Sequence, residues 1–323
     1  MSYMPAVSAP DVQPIFVIGC WRSGTTILAK LLDNHPRLSW LGWEMNDEWE
    51  KFGDIKGRAF ENPYQDGREV DGQTSCRMAS LFYQELLKKY VIEKKGKLSL
   101  NEMFEYPQEV IPLNKSPNLM NKVEHVKRVF PGAKFVLIVR DVFSFSNAYY
   151  KHSRDLVWRQ RGLLTYWPTE GGVNIEREGG VKRFVSAKPE EMKNIPEDQV
   201  VQNDSGYKRI PEAWLKLNAG AIHSLIKVAE EDFVAIRFED LMSHPQRVLS
   251  RVASVLGLEN VPIDTPDNLL DVKIPYNYTN TKGDATKVHL DEMSSFQLKC
   301  VEQEVSERRE LYEFIENNLA SVS

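Results

Sequence analysis

Residues 14–36 read PIFVIGCWRSGTTILAKLLDNHP, and the order of residue types in this stretch decides the fold. Ile15 to Ile18 is a short, mostly β-branched apolar run, the pattern of a parallel strand buried on both faces. Gly19 to Thr26 then makes a turn, and Ile27, Leu28, Leu31 and Leu32 recur at helical spacing. A strand, a glycine-bracketed loop and a helix N-terminus form a cradle for an anion. Successive backbone N–H groups point inward, and the helix end adds about half a positive charge.

The spacing G-x-x-x-x-G followed by Thr-Thr is one residue from the P-loop of NTPases, and the difference is informative. A P-loop carries G-K-[ST], with the lysine on the β/γ-phosphates and the hydroxyl on Mg²⁺. Here Thr25 stands where the lysine belongs, and the cation, Arg22, has moved into the loop beside Ser23, Gly24 and Thr26. The sequence therefore predicts an anion held without that lysine and without a metal. Read as a bare GxxxxG, the stretch is also compatible with any strand–turn–helix crossover.

The whole chain limits the possibilities further. Its 323 residues suffice for one large α/β domain, and a net charge of −5 argues against a general nucleic-acid binder. No apolar run approaches the roughly 18–20 residues that span a membrane. The first 13 residues lack the basic and apolar regions of a secretory signal and read as a flexible lead-in. Cys20, Cys76 and Cys300 are far apart and odd in number, which predicts no disulfide framework, no metal spacing and a cytoplasmic setting.

Along the chain, Leu38 to Glu44 is a short apolar piece, Glu44 to Glu50 an acidic segment, 53–77 a loop and Met78 to Ile92 a helix. Residues 110–113 are strand-like and deliver Asn114, Lys115, Ser116 and Pro117; a helix follows over 118–130. Lys134 to Val139 is a buried strand that ends on Arg140, and 141–152 is helical. Residues 154–211 break the rhythm with Gly-Gly pairs and prolines, and their aromatics (Trp158, Tyr166, Trp167, Phe184, Tyr207) suggest a substrate-side lid. A helix over 213–229, a strand over 233–238 and a helix over 245–256 ending at Gly257 resume the pattern. Residues 260–290 are turn-rich, and a last helix covers 294–319. In open α/β sheets the carboxyl ends of strands line the ligand crevice. Three predicted strand ends carry Arg22, Lys115 and Arg140 to one edge; each alone reads as a surface charge, but three together predict an anion site.

Four segments in order resemble the sulfotransferases that use 3′-phosphoadenosine-5′-phosphosulfate (PAPS). They are Phe16 to Thr26 with Leu32-Asp33-Asn34-His35-Pro36; Asn114-Lys115-Ser116-Pro117; Phe130 to Phe135 through Val139-Arg140-Asp141; and Ile236 to Leu241 with His244-Pro245 and Leu256-Gly257-Leu258. The Arg-Ser-Gly-Thr-Thr form is similar to that of the tyrosylprotein and carbohydrate branch. The resemblance covers roughly residues 14–150 and 212–320, and 154–211 match nothing in it.

The resemblance implies sulfuryl transfer from PAPS to a hydroxyl or amine, in a P-loop-like fold whose central parallel sheet has helices on both faces. By it, Arg22, Ser23, Gly24, Thr25 and Thr26 hold the 5′-phosphosulfate, Lys115 faces the sulfuryl oxygens and Arg140 takes the 3′-phosphate. Lys282 and Gly283 fall where a late glycine loop returns to that phosphate. The family expects a serine eight residues after the arginine, where this chain has Ala148; Ser146 takes the role if the turn is shorter, with Ser144 as the fallback. Phe238 replaces a tyrosine common near the adenine.

Attack by the acceptor requires a base within hydrogen-bond reach. Tyrosylprotein-type relatives use a glutamate shortly after His-Pro, which Glu44 matches with a one-residue shift. Set among Trp40, Trp43 and Trp49, Glu44 is expected to have a raised pKa, and the same segment suggests a cationic or aromatic acceptor. His152 is the alternative base. Together these readings predict a single-domain, metal-free cytoplasmic sulfotransferase with a small-molecule acceptor and neither nucleic-acid nor membrane partners. A protein- or carbohydrate-directed sulfotransferase, a P-loop metabolite kinase and a non-catalytic nucleotide-binding module are the alternatives.

Overall fold

Four consecutive apolar residues without polar alternation belong in the middle of a sheet covered on both faces, and Ile15–Ile18 (β1) lies there. A computed structural model describes residues 13–56, 64–93, 110–158, 173–177, 180–184, 207–258, 261–265 and 290–319. After β1 come α1 (Thr25–Leu32), β2 (Leu38–Trp40), α2 (Asn46–Phe52), α3 (Gly72–Glu93) and β3 (Ile111–Lys115). A 3₁₀ turn (Pro117–Lys122) leads into α4 (Val123–Val129), β4 (Lys134–Val139) and α5 (Val142–Trp158). Then follow β5 (Val173–Arg177), β6 (Gly180–Phe184), α6 (Arg209–Ala229), β7 (Phe233–Arg237), α7 (Phe238–Ser243) and α8 (Pro245–Leu256). The chain closes with α9 (Ser295–Glu307) and α10 (Arg309–Asn318).

The central sheet has the order β2-β3-β1-β4-β7 and every pairing in it is parallel, so all carboxyl ends meet at one edge. Alternation along the strands splits the core in two. Phe16, Ile18, Phe135, Leu137 and Val139 pack with α3, α4, α5 and α6, whereas Ile15, Val17, Val136, Ile138, Val234 and Ile236 pack with α1 and α8. Helices therefore cover both faces, as expected. On the first face the Phe16 ring lies 5.6–6.1 Å from those of Trp49, Phe130, Phe135 and Phe82, a spacing at which aromatic rings attract.

Several element boundaries differ from those read in the sequence, each for a local reason. The acidic run after Glu44 is the helix α2, because Trp49 anchors it in the core. α3 begins at Gly72 rather than 78, since Asp71 accepts the Thr74 N–H at 2.7 Å and caps it; that bond holds the Asp71 carboxyl below its usual range. The helix expected over 118–130 is a 3₁₀ turn followed by α4, with Asn121 outside helical geometry. The final helix is broken at Arg308, whose guanidinium is drawn to Glu304 and Glu212. Within the predicted loop at 154–211, α5 continues to Trp158, β5 and β6 form an antiparallel pair, and α6 starts at Arg209. Tyr207, expected on a lid, is buried against the rings of Tyr150 and Phe296.

The aromatic cluster generates a stability prediction. Phe16→Ala removes the ring that touches four others and should lower unfolding stability by about 3–5 kcal/mol. Urea denaturation followed by near-UV circular dichroism measures it; a loss below about 1 kcal/mol would show that the cluster is not central to the core.

Candidate active site

The loop after β1 is built around two left-handed residues, Arg22 (φ 69°) and Gly24 (φ 91°). At Gly24 the reason for glycine is steric as well as conformational, because a Cβ there would lie 2.4 Å from the Phe238 ring. Gly24 is also the N-cap of α1, whose first N–H groups have no intrahelical acceptors. Ser23 and Thr25 are buried, Thr26 is half-buried, and the Ser23 Oγ has no partner among the described residues. The thiol of Cys20 is buried in the same loop; desolvation pushes it upward, while Asn218 Nδ2 lies 3.6 Å away.

Arg140 follows β4, next to β1 in the sheet. Its side chain is 8% exposed, yet no carboxylate bonds it directly among the described residues. Its Nη1 donates to the Arg22 carbonyl at 3.1 Å, its guanidinium carbon lies 4.9 Å from the Phe238 ring centre, and its Nε has no described partner. Burial lowers the pKa of Arg140; Glu239 and Asp141 nearby favour the cation and Arg22 opposes it. Burial also lowers that of Arg22. The backbone is fixed by Trp214 Nε1, which donates to the Arg140 carbonyl at 2.9 Å, and by Glu239 Oε1, which accepts the Asp141 N–H at 3.1 Å.

On the other side of β1, β3 ends on Lys115, whose Nζ lies 2.5 Å from Glu44 Oε1. Glu44 sits between β2 and α2 in a segment bracketed by two left-handed residues, Gly42 (φ 85°) and Met45 (φ 55°). Asn114, buried at the end of β3, clamps this segment: its Nδ2 donates to the Trp43 carbonyl at 3.3 Å and its Oδ1 accepts from Trp49 Nε1 at 3.4 Å. Asn46 Nδ2 donates to Glu44 Oε2 at 3.0 Å, and Ser116 Oγ donates to Asn46 Oδ1 at 3.0 Å. Glu44 thus faces a cation and an amide rather than the aromatic wall expected from the sequence. Trp40 and Trp49 are buried, and Trp43 is 43% exposed.

Glu44, Lys115, the Arg22 loop and Arg140 follow β2, β3, β1 and β4, four neighbours in the parallel sheet. A profile described as the Sulfotransferase family matches residues 14–170, the part of the chain that holds this row. Over those residues the chain is similar to the sulfotransferase family.

Solved sulfotransferase structures align with it along most of its length. The sulfotransferase domain from the curacin biosynthetic pathway has 16% identity and a TM-score of 0.44, with 96% of this chain and 99% of that one covered. The domain from the Synechococcus PCC 7002 olefin synthase has 16% identity and a TM-score of 0.42, covering 98% of each chain. A sulfotransferase from Alicyclobacillus acidocaldarius has 13% identity and a TM-score of 0.42, with 92% and 96% covered.

The other sequence candidates fall as follows. Ser146 is fully buried in α5 and donates its hydroxyl proton to the Val142 carbonyl at 2.7 Å. The Ser144 N–H donates to Asp141 Oδ1 at 2.9 Å. His152 lies within α5, and its side chain is outside the described residues, as are Lys282 and Gly283 altogether. No helix among the described residues is long and apolar enough to cross a membrane, and no metal-ligand cluster occurs among them. Sequence reasoning missed Asn46, Trp214 and Glu239, because their partners lie on other elements. The Phe238–Arg140 stack was missed too, since no spacing rule links the ends of β7 and β4.

The Gly24 geometry is testable. Gly24→Ala should cost about 1–3 kcal/mol in urea denaturation, combining left-handed strain with displacement of the Phe238 ring. A change within about 0.3 kcal/mol would contradict the close approach described above.

Proposed function

We propose that this protein transfers a sulfuryl group from PAPS to a hydroxyl or amine of a small-molecule acceptor. The observation carrying the reading is the row of Glu44, Lys115, Arg22 and Arg140 along the carboxyl edge of four adjacent parallel strands. The residues present fit a doubly anionic nucleotide. The half-buried Arg22 lies in the loop with the buried Arg140 beside it, and the Ser23 hydroxyl and Arg140 Nε are buried without described partners. When bound, PAPS supplies an electrophilic sulfur and a phosphate leaving group.

In this reading Arg22 and the N–H groups of residues 23–26 hold the 5′-phosphosulfate, with the Ser23, Thr25 and Thr26 hydroxyls beside them. Lys115 neutralises charge on the sulfuryl oxygens, where loss of one such donor typically costs about 3 kcal/mol of barrier. Arg140 binds the 3′-phosphate. Ser146 has its proton committed to Val142, so Arg140 carries that recognition among the described residues. Lys282 and Gly283 are retained as candidates to join it. Glu44 is the proposed base and His152 the alternative. Lys115 Nζ bonds Glu44 Oε1, so in this reading the sulfuryl-facing cation and the base stand side by side. Trp43, exposed next to Glu44, is the proposed acceptor wall. The Arg-Ser-Gly-Thr-Thr loop keeps a carbohydrate or tyrosyl acceptor as the second reading.

Calorimetry tests the nucleotide class. Adenosine 3′,5′-bisphosphate should bind without Mg²⁺ and Mg-ATP at least about tenfold more weakly; tight, Mg-dependent ATP binding would replace this reading with a kinase. Arg140→Ala should weaken adenosine 3′,5′-bisphosphate about a hundredfold, as expected for a charged bond of roughly 2–3 kcal/mol, and change adenosine 5′-phosphosulfate by less than about threefold. Equal losses for both ligands would remove Arg140 from the 3′-phosphate.

A further inference from the structure

We infer that Asn46 is a positioning residue that holds the Glu44 carboxylate in place for proton removal; this rests on Glu44 being the base. The hydrogen-bond chain has one consistent polarity. An ionised carboxylate only accepts, so the Asn46 amide turns its Nδ2 to Glu44 Oε2 and leaves its Oδ1 to accept from Ser116 Oγ, both at 3.0 Å. The amide is therefore orientated by β3 and in turn orientates Glu44. Ser116 directly follows Lys115, and its N–H donates to the Val17 carbonyl at 3.1 Å, so the chain is anchored in the central strand β1.

This matters because Glu44 has two oxygens with different tasks. Oε1 is bonded to Lys115 and Oε2 to Asn46; in this proposal Oε1 takes the proton and the Asn46 bond holds Oε2. Without Asn46, Lys115 would be the one remaining described side-chain partner of the half-buried Glu44 carboxylate. The left-handed conformation of Met45 aims the first residue of α2 back at Glu44, two positions earlier, which a continuous helix would not do. The charged partner of Glu44 among the described residues is Lys115 from β3; Asp47 and Glu48 in the first turn of α2 are the carboxylates next along the chain.

The test uses the full chain, PAPS as donor and 2-naphthol or water as acceptor, with release of adenosine 3′,5′-bisphosphate as the readout across pH. Asn46→Asp keeps an acceptor for Ser116 but sets a second carboxylate against Glu44 Oε2. The acid limb of kcat should then move up by about one pH unit or more. Asn46→Ala should lower kcat about tenfold or more, and affinity for adenosine 3′,5′-bisphosphate should stay within about twofold in both variants. An unshifted acid limb in Asn46→Asp, with Glu44→Gln inactive, would overturn the role of Asn46 and leave Glu44 as the base. Wild-type turnover in Glu44→Gln, or no release of bisphosphate by the wild-type protein, would overturn the base assignment and this inference with it. Should Asn46→Ala fail to fold, the near-isosteric Asn46→Asp profile decides alone.

Discussion

Burying a guanidinium is costly unless a ring face or an anion meets it, and Arg140 is buried with no carboxylate bonded to it among the described residues. The surrounding architecture follows from that condition. Phe238 provides the ring face, Gly24 makes room for the ring, and the Arg22 carbonyl takes one N–H. Trp214 from α6 and Glu239 from α7 fix the backbone on either side of the Arg140–Asp141 peptide. Three strand ends, those of β1, β4 and β7, are in this way locked around a single cation. The charge is only partly compensated, since Arg22 opposes it while Glu239 and Asp141 stand nearby.

Much of this architecture is visible in the amino-acid order because it is local. β1 and β4 are continuous apolar runs, and α8 has a proline at its first turn and a glycine in the left-handed region after it. Such signals depend on neighbours a few residues away and survive folding unchanged. Boundaries shifted where a side chain acted from farther off. Trp49 draws an acidic segment into a helix by inserting its indole into the core, and Arg308 ends α9 by reaching across to Glu212 on α6.

The candidate site divides along the same line. Arg22, Lys115 and Arg140 are legible because each lies at the carboxyl end of a strand or just beyond it, and in a parallel sheet every such end faces the same edge. Glu44 is legible only through resemblance. Its surroundings come from residues about seventy positions away, Asn114, Lys115 and Ser116, and no periodicity brings 44–46 and 114–116 together. The pairing of β2 with β3 does so: Leu38, Ser39 and Trp40 lie opposite Ile111, Pro112 and Leu113, and both chains leave the sheet side by side. The expectation of an aromatic surround failed for a related reason. Tryptophans close together in sequence were assigned one environment, whereas the turn at Gly42 separates the buried Trp40 from the exposed Trp43.

The buried thiol of Cys20 has a consequence for chemical handling of the protein. Burial disfavours its thiolate, the form that attacks electrophiles and oxidants, so this cysteine is protected while the loop after β1 keeps its packing. Cys300 is also buried, whereas Cys76 is exposed on α3. A maleimide applied to the folded protein therefore marks α3 and spares the loop. Labelling at position 20 then reports loss of packing around β1, and mass spectrometry reads it without any turnover of substrate.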